Sequence, residues 1–187
     1  MNPRELLEIL SVAEKLKCVT RHSDTSSGRR ESVAEHCWRL SLTAMLLEEE
    51  FPEADMLKVL KMCIIHDLGE AFTGDIATFK KTEADREEEK ARFARWIEGF
   101  PDFQRHQFSA LLNEMEELQT EEARLYKALD KLEAVIQHNE SDISSWLPLE
   151  YDLQLTYGQE SVEFSPYLKM LKEHIDTWTK EKIESGK

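Results

Sequence analysis

The stretch "CIIHDLGEAFTGDI", residues 63–76, ends an apolar run on a histidine and an aspartate side by side, and two further carboxylates, Glu70 and Asp75, follow closely. A buried helix end does not leave a bare carboxylate in apolar surroundings, because desolvating an isolated charge costs far more than packing returns. A divalent cation resolves the conflict by replacing water around the carboxylate and accepting a neutral imidazole nitrogen. Successive helical residues point about 100° apart, so His66 and Asp67 bracket one edge of an ion, and further ligands must come from other elements. The sequence offers His36, early in one expected helix, and Asp130, inside another with apolar neighbours.

Each residue alone has a plainer reading. His36 fits a satisfied structural histidine, and Asp130 fits an exposed ion pair with Lys127 or Lys131 as well as it fits a ligand. In the order His, His-Asp, Asp on three helices, they make a specific pattern. Glu70 comes four residues after His66 and three after Asp67, on their face if the helix continues. Gly69 argues for a break, after which Glu70 still stays close. Left facing water, Glu70 would sit at the negative end of a helix dipole with no cation near it. Asp75, following Gly74, also fits a plain turn aspartate.

Helices are expected to position these groups. The first runs from Pro3 to about Lys17 behind an Asn2 cap, with Leu6, Ile9, Leu10, Ala13 and Leu16 as its apolar stripe. A polar, turn-rich loop, "RHSDTSSGRR", follows. "SVAE" at Ser32 is a capping box opening a helix with Val33, Cys37, Leu40, Ala44 and Leu47 on one face and His36 off that stripe. Residues 56–65, "MLKVLKMCII", are apolar on nearly every side and predict a helix at the centre of a bundle, with a buried strand as the competing reading. Thr73-Gly74 marks a turn. Helical spacing resumes through Ala91, Phe93, Ala94 and Ile97, then after Pro101 through Phe108, Leu111, Leu112, Met115 and Leu118.

Residues 120–138 predict a further helix with Ala128, Leu132, Val135 and Ile136 inward. Residues 139–164 are irregular, and Ser165-Pro166 opens a last helix carrying Leu168, Leu171, Ile175 and Trp178. The expected fold is all-α: a single domain over residues 1–187, with a motif-bearing core at about 5–140 and a C-terminal helical segment at 141–187.

The 187 residues carry 24 Lys and Arg against 38 Asp and Glu, a net charge of −14. Such a surface repels nucleic acid polymers and anionic membranes. A small anion would need a local cationic pocket, and Arg21, Arg29 and Arg30 concentrate positive charge in one loop. The planar guanidinium fork matches phosphate oxygens, although three solvated loop arginines would look the same in sequence. Cys18, Cys37 and Cys63 show no metal or redox spacing and read as small hydrophobes in a reducing compartment. With no secretory pattern and no apolar run near the length of a membrane span, the expected location is cytoplasmic.

The chain resembles the HD-domain metal-dependent phosphohydrolases, whose motif is H…HD…D, and among them the small HD-domain 5′-deoxynucleotidases. The resemblance rests on "RRESVAEH", "IIHDLGEAFTGDI" and "LYKALDKLEAVIQ", with Arg21 fifteen residues before His36 as in that family, and spans residues 5 to about 140. It implies an HD-type bundle with a metal at its centre, held by His36, His66, Asp67 and Asp130. It also implies that Glu70, Asp75 and the backbone carbonyl of Ile76 belong to a second metal site or to the acid–base machinery, and that Arg21 grips the substrate phosphate. Bacterial members carry a tryptophan beside that arginine, which contributes to excluding the ribose 2′-hydroxyl. This chain has His22 there, which leaves its deoxyribose preference open. The family is often homodimeric, and a homodimer is the expectation here.

The chemistry fits such a site. Phosphate monoester hydrolysis is among the slowest uncatalysed reactions. A cation held by imidazoles and carboxylates polarises a phosphoryl oxygen and lowers the pKa of a bound water toward about 7. Mixed nitrogen and oxygen ligation suits Mn²⁺, Fe²⁺, Co²⁺, Ni²⁺ or Zn²⁺, whereas an all-oxygen site at Glu70 and Asp75 would suit Mg²⁺. The implied activity is hydrolysis of (deoxy)nucleoside 5′-monophosphates to nucleoside and phosphate. Two alternatives stand beside it: a related HD hydrolase acting on a nucleoside triphosphate, a cyclic nucleotide or an alarmone, and a helical interaction module that keeps its metal only for stability.

Overall fold

Reciprocal caps start the helices where the sequence signals them. Asn2 accepts from the Glu5 amide while the Glu5 side chain returns to the Asn2 amide, opening α1 (Pro3–Ala13). Ser32 and Glu35 do the same for α2 (Val33–Leu46), the helix that carries His36. Between them lies a short hairpin of β1 (Thr20–Asp24) and β2 (Arg30–Ser32). The computed structural model describes residues 1–186, so Lys187, the last residue of the expected domain, lies outside them. The chain continues through α3 (Met56–Ile65), a one-turn α4 (Glu70–Thr73), α5 (Glu83–Glu98) and α6 (Asp102–Glu117). It ends with α7 (Glu121–Glu140), α8 (Glu150–Thr156) and α9 (Pro166–Ser185). No helix among the described residues is long and apolar enough to cross a membrane.

The core is the mutual packing of α2, α3 and α7. Val33, Leu40 and Ala44 of α2, Val59, Met62 and Cys63 of α3, and Ala128, Leu129 and Val135 of α7 are wholly buried. Residues 56–65 are thus the expected central helix, although Leu57 and Ile64 on its outer flank stay exposed. Cys37 and Cys63 are buried free thiols, as their apolar surroundings predict. From the far side α9 packs on α7, where the buried Asn139 amide donates to Thr179 Oγ1 at 2.9 Å. The buried Lys172 ammonium on α9 pairs with Asp176 and donates to the Leu155 carbonyl at 3.2 Å, which fixes α8.

Four expectations need correction. The loop at residues 21–30 contains the hairpin: Ser23 and Glu31, one from each strand, are both buried and joined by a 3.0 Å hydrogen bond. Tertiary contacts rather than strand propensity hold it, as when the Gln137 amide of α7 donates to the Asp24 carbonyl at 2.7 Å. The first helix stops at Ala13, and Glu14–Lys17 tighten to a 3₁₀ turn that carries Leu16 inward, while Leu6 and Leu10 remain exposed. His36 is fully buried, not off the apolar stripe, because it lies three residues after Val33 and four before Leu40 and so shares their face. Leu118 leaves α6 in a left-handed cap at φ 51°, and Trp178 on α9 is exposed.

Because Ser32 holds the first turn under His36, Ser32→Ala should cost about 1 kcal/mol of stability, the usual loss for a hydroxyl cap. Urea denaturation measures it, and a midpoint equal to wild type would contradict the capping role.

Candidate metal centre

Three helices deliver the expected ligands to one point. His36 sits in the second turn of α2 and Asp130 midway along α7. His66 and Asp67 follow the last residue of α3, where the chain keeps turning tightly: Leu68 N–H bonds to the Ile65 carbonyl and Glu70 N–H to the Asp67 carbonyl at 3.0 Å. Gly69 allows α5 to close over this turn, since a Cβ there would stand 2.9 Å from Glu89 Cγ. Gly74, at φ +78°, then turns the chain back toward the site in a conformation that favours glycine.

The ligand atoms converge. His36 Nε2 lies 3.3 Å from His66 Nε2, 3.1 Å from Asp130 Oδ1 and 3.9 Å from Asp67 Oδ2. His66 Nε2 lies 3.1 Å from Asp67 Oδ2 and 3.5 Å from Asp130 Oδ1. Ligands bound to one first-row cation at about 2.0–2.2 Å stand about 3–3.5 Å apart, so these four suit a single ion. The other ring nitrogens fix the tautomers. His36 Nδ1 meets the Glu133 carboxylate, and His66 Nδ1 donates to the Cys63 carbonyl at 2.9 Å. Both Nε2 atoms therefore turn toward each other and toward two carboxylates, where either protons or a cation can sit.

The electrostatics agree. Burial works against charge on His66, yet the Asp67 carboxylate outweighs it and holds the imidazole well above its ordinary pKa. Burial pushes Asp130 up, but Lys127 and the two imidazoles hold it well below the usual carboxylate range. Lys127 Nζ pairs with Asp130 Oδ2 at 2.8 Å while Oδ1 faces the histidines, so the ion-pair and ligand readings of Asp130 hold together.

A cavity of about 420 Å³ opens from this point. Asp67, Glu70, Asp75 and Ile76 line it, as do Arg21 and His22 from the hairpin. Arg21 spans Asp67 at 3.4 Å and Glu31 at 3.2 Å. Glu70 is buried with one carboxylate oxygen unpartnered, and burial together with the charges of Asp67 and Asp75 pushes it up to about 10. Burial likewise raises Asp75. Lys81 lies 3.8 Å from Glu70, and Arg86, Lys127 and Lys131 add positive charge to the cavity wall. Arg29 instead pairs with Glu35 and Arg30 with Asp24.

Sequence reasoning missed Glu133, which is buried on α7 and held from behind by Arg39 Nε at 2.6 Å. Its signal was its position, one helical turn after Asp130 on the same face. Also missed were His138 and Glu150, whose side chains meet at 3.2 Å beside His22 at the cavity's other end.

The HD-domain family model matches residues 13–172. The 5′-deoxynucleotidase HDDC2 of Mus musculus is 30% identical over 178 residues, covering 92% of this chain and 87% of the mouse protein. The 5′-deoxynucleotidase HDDC2 of Dictyostelium discoideum is 31% identical over 141 residues, covering 70% and 74%. Among solved structures, a predicted metal-dependent phosphohydrolase from Magnetospirillum magnetotacticum superposes with a TM-score of 0.80 at 27% identity, over 96% of this chain and 93% of the other. A conserved hypothetical protein from Pyrococcus furiosus superposes with a TM-score of 0.72 at 30% identity, over 91% and 99%.

Removing the Glu133 carboxylate frees the His36 ring to rotate and lowers its basicity, while Arg39 keeps Gln137 and Glu140 as partners. Glu133→Ala should weaken divalent-ion affinity about 10–100-fold, the usual cost of losing a group that orients a metal-binding histidine. Titration calorimetry with Mn²⁺ measures this, and an unchanged dissociation constant would place the ion elsewhere.

Proposed function

This chain belongs to the HD-domain family, and from that premise we propose that it removes the 5′-phosphate from (deoxy)nucleoside monophosphates in a metal-dependent hydrolysis. The observation that carries the reading is the convergence of two imidazoles and two carboxylates beside a cavity that sets five cationic side chains against five carboxylates, in a chain of net charge −14. Its relatives in mouse and Dictyostelium are 5′-deoxynucleotidases. In this reading His36, His66, Asp67 and Asp130 hold the ion, whose mixed nitrogen and oxygen ligands favour Mn²⁺, Fe²⁺, Co²⁺, Ni²⁺ or Zn²⁺. When bound, such an ion supplies Lewis acidity toward the phosphoryl group and a water of lowered pKa.

The chain's own residues do the rest. Arg21 receives the phosphate, because its guanidinium lines the cavity beside Asp67 and is oriented by Glu31. Lys81 and Lys127 offset the remaining phosphate charge from the opposite wall. Buried Glu70, with one oxygen lacking any partner, and half-buried Asp75 move the proton to the leaving 5′-oxygen or, with the Ile76 carbonyl, hold a second, Mg²⁺-type ion. His22, next to Arg21, lies where the sugar follows the phosphate. Residues 1–187 act as one domain in this reading, since α8 of the C-terminal segment completes the cavity wall. The buried free thiols support a reducing cytoplasm, and exposed Leu6, Leu7 and Leu10 of α1 support the homodimer, which light scattering measures.

Phosphate release from deoxynucleoside monophosphates should vanish with chelator and return with Mn²⁺ or Co²⁺. Asp67→Ala should abolish turnover, and a fully active Asp67→Ala enzyme would sink the metal assignment. Arg21→Ala should lower kcat/KM about a hundredfold, the scale for losing one preorganised charge contact. Release of pyrophosphate or tripolyphosphate from triphosphates, with no turnover of monophosphates, would move the activity to another HD-type substrate.

A further inference from the structure

Helix α7 measures the length of the cavity. Asp130, Ala134 and His138 lie along one of its walls, and the eight residues from Asp130 to His138 span about 12 Å at 1.5 Å per residue. The cation-binding end is at Asp130, with Arg21, Lys81 and Lys127 around it. Ala134, with its small side chain, leaves the middle open. His138, Glu150 and Gln154 stand toward the far end, while Phe79 packs against His22 and the Lys131 ammonium lies 5.8 Å from the centre of the Tyr157 ring. A phosphate bound at the first end carries its sugar past Ala134 and its base to the second.

The polar groups at that far end are spoken for, with one conspicuous gap. His138 Nδ1 donates to the Ala134 carbonyl at 3.0 Å, and its Nε2 meets Glu150 Oε1 at 3.2 Å. The other Glu150 oxygen accepts the Leu147 amide at 2.6 Å, and His22 stands 3.4 Å from the same carboxylate. The orphaned His22 Nε2 is accounted for by the sugar position it occupies. Gln154 is 4% exposed and lines the cavity, yet its side-chain amide makes no hydrogen bond with any described residue. The amide itself is not sealed off: it opens onto the cavity, where its donor and acceptor faces are free for a ligand.

The helix that carries Gln154 is held firmly. Glu150 fixes its first residue through His138 and Leu147, and the buried Lys172 of α9 binds the Leu155 carbonyl at 3.2 Å. Aromatic faces flank the position. Phe79 packs edge-on against His22 with ring centres 5.4 Å apart, and Tyr157 OH reaches Thr78 Oγ1 at 3.4 Å across the mouth of the cavity.

We propose that Gln154 is the base-reading residue of this site, its amide forming hydrogen bonds to the edge of a nucleobase seated between Phe79 and Tyr157. The inference rests on the nucleotide reading above and deepens it: the ligand is a nucleoside monophosphate with its base, not a bare sugar phosphate. A carboxamide offers one donor face and one acceptor face and can present either by rotating, so it contacts an amino-bearing base or a carbonyl-bearing base. One neutral hydrogen bond of this kind corresponds to about a tenfold preference.

The test compares wild type with Gln154→Met, a near-isosteric change, on deoxynucleoside 5′-monophosphates and on 2-deoxyribose 5-phosphate. In the variant, the kcat/KM preference for the base-bearing substrate should fall about tenfold, through KM. The ligand-free variant should melt at the wild-type temperature, because the amide it loses makes no hydrogen bond within the protein. An unchanged preference would overturn the assignment. So would a lower melting temperature with equal losses on both substrates, which would make Gln154 structural. If wild type hydrolyses deoxyribose 5-phosphate as well as nucleotides, the phosphohydrolase reading stands and the base contact fails. If it hydrolyses neither, the phosphohydrolase reading fails. The base contact is then decided by calorimetry with deoxyadenosine 5′-monophosphate, where a tenfold weaker variant supports it and equal or absent binding overturns it.

Discussion

Two imidazole Nε2 atoms 3.3 Å apart, with a carboxylate oxygen against each, need positive charge between them, from protons or from a cation. That single electrostatic requirement organises the molecule. Each Nδ1 is already committed, to Glu133 and to the Cys63 carbonyl, so neither ring can turn away to relieve it. The ligands come from three helices that form the core, and their convergence is a consequence of how α2, α3 and α7 pack. A centre built this way is rigid before anything binds, which is what a site that must hold an ion in fixed geometry needs.

The same network reaches the substrate side. Glu133, which orients His36, is gripped by Arg39; Arg39 also binds Gln137 at 2.6 Å, and Gln137 binds the hairpin at the Asp24 carbonyl. The hairpin places Arg21 between Asp67 and Glu31. The element that presents Arg21 is thus tied to the helix that presents Asp130. In a strongly acidic protein this cavity is balanced, because Arg21, Lys81, Arg86, Lys127 and Lys131 meet its five carboxylates while the excess of acidic groups lies elsewhere.

Much of this was readable from residues in order. The caps at Asn2 and Ser32 act locally and announce their helices, and the apolar runs of α2, α3 and α7 carry the 3.6-residue period that marks a core face. The H…HD…D spacing survives as sequence because His36 and Asp130 sit on regular helices and His66 and Asp67 directly follow α3. What escaped depends on contacts between distant segments. The hairpin has few strand-forming residues and is held by a buried Ser23–Glu31 pair, so it read as a loop. The burial of Glu133 requires Arg39 and His36 from another helix, ninety-four and ninety-seven residues away, and only its place one turn after Asp130 hints at it. Gln154 lies in a segment broken by Pro148 and Gly158, where periodicity is too short to assign a face.

The most direct test of the account is where a transition metal sits. Crystals grown with Mn²⁺, measured for anomalous scattering, should show a peak within about 2.3 Å of His36 Nε2, His66 Nε2 and carboxylate oxygens of both Asp67 and Asp130. A peak bound elsewhere, or Asp130 turned to Lys127 alone with no ion beside the histidines, would contradict it.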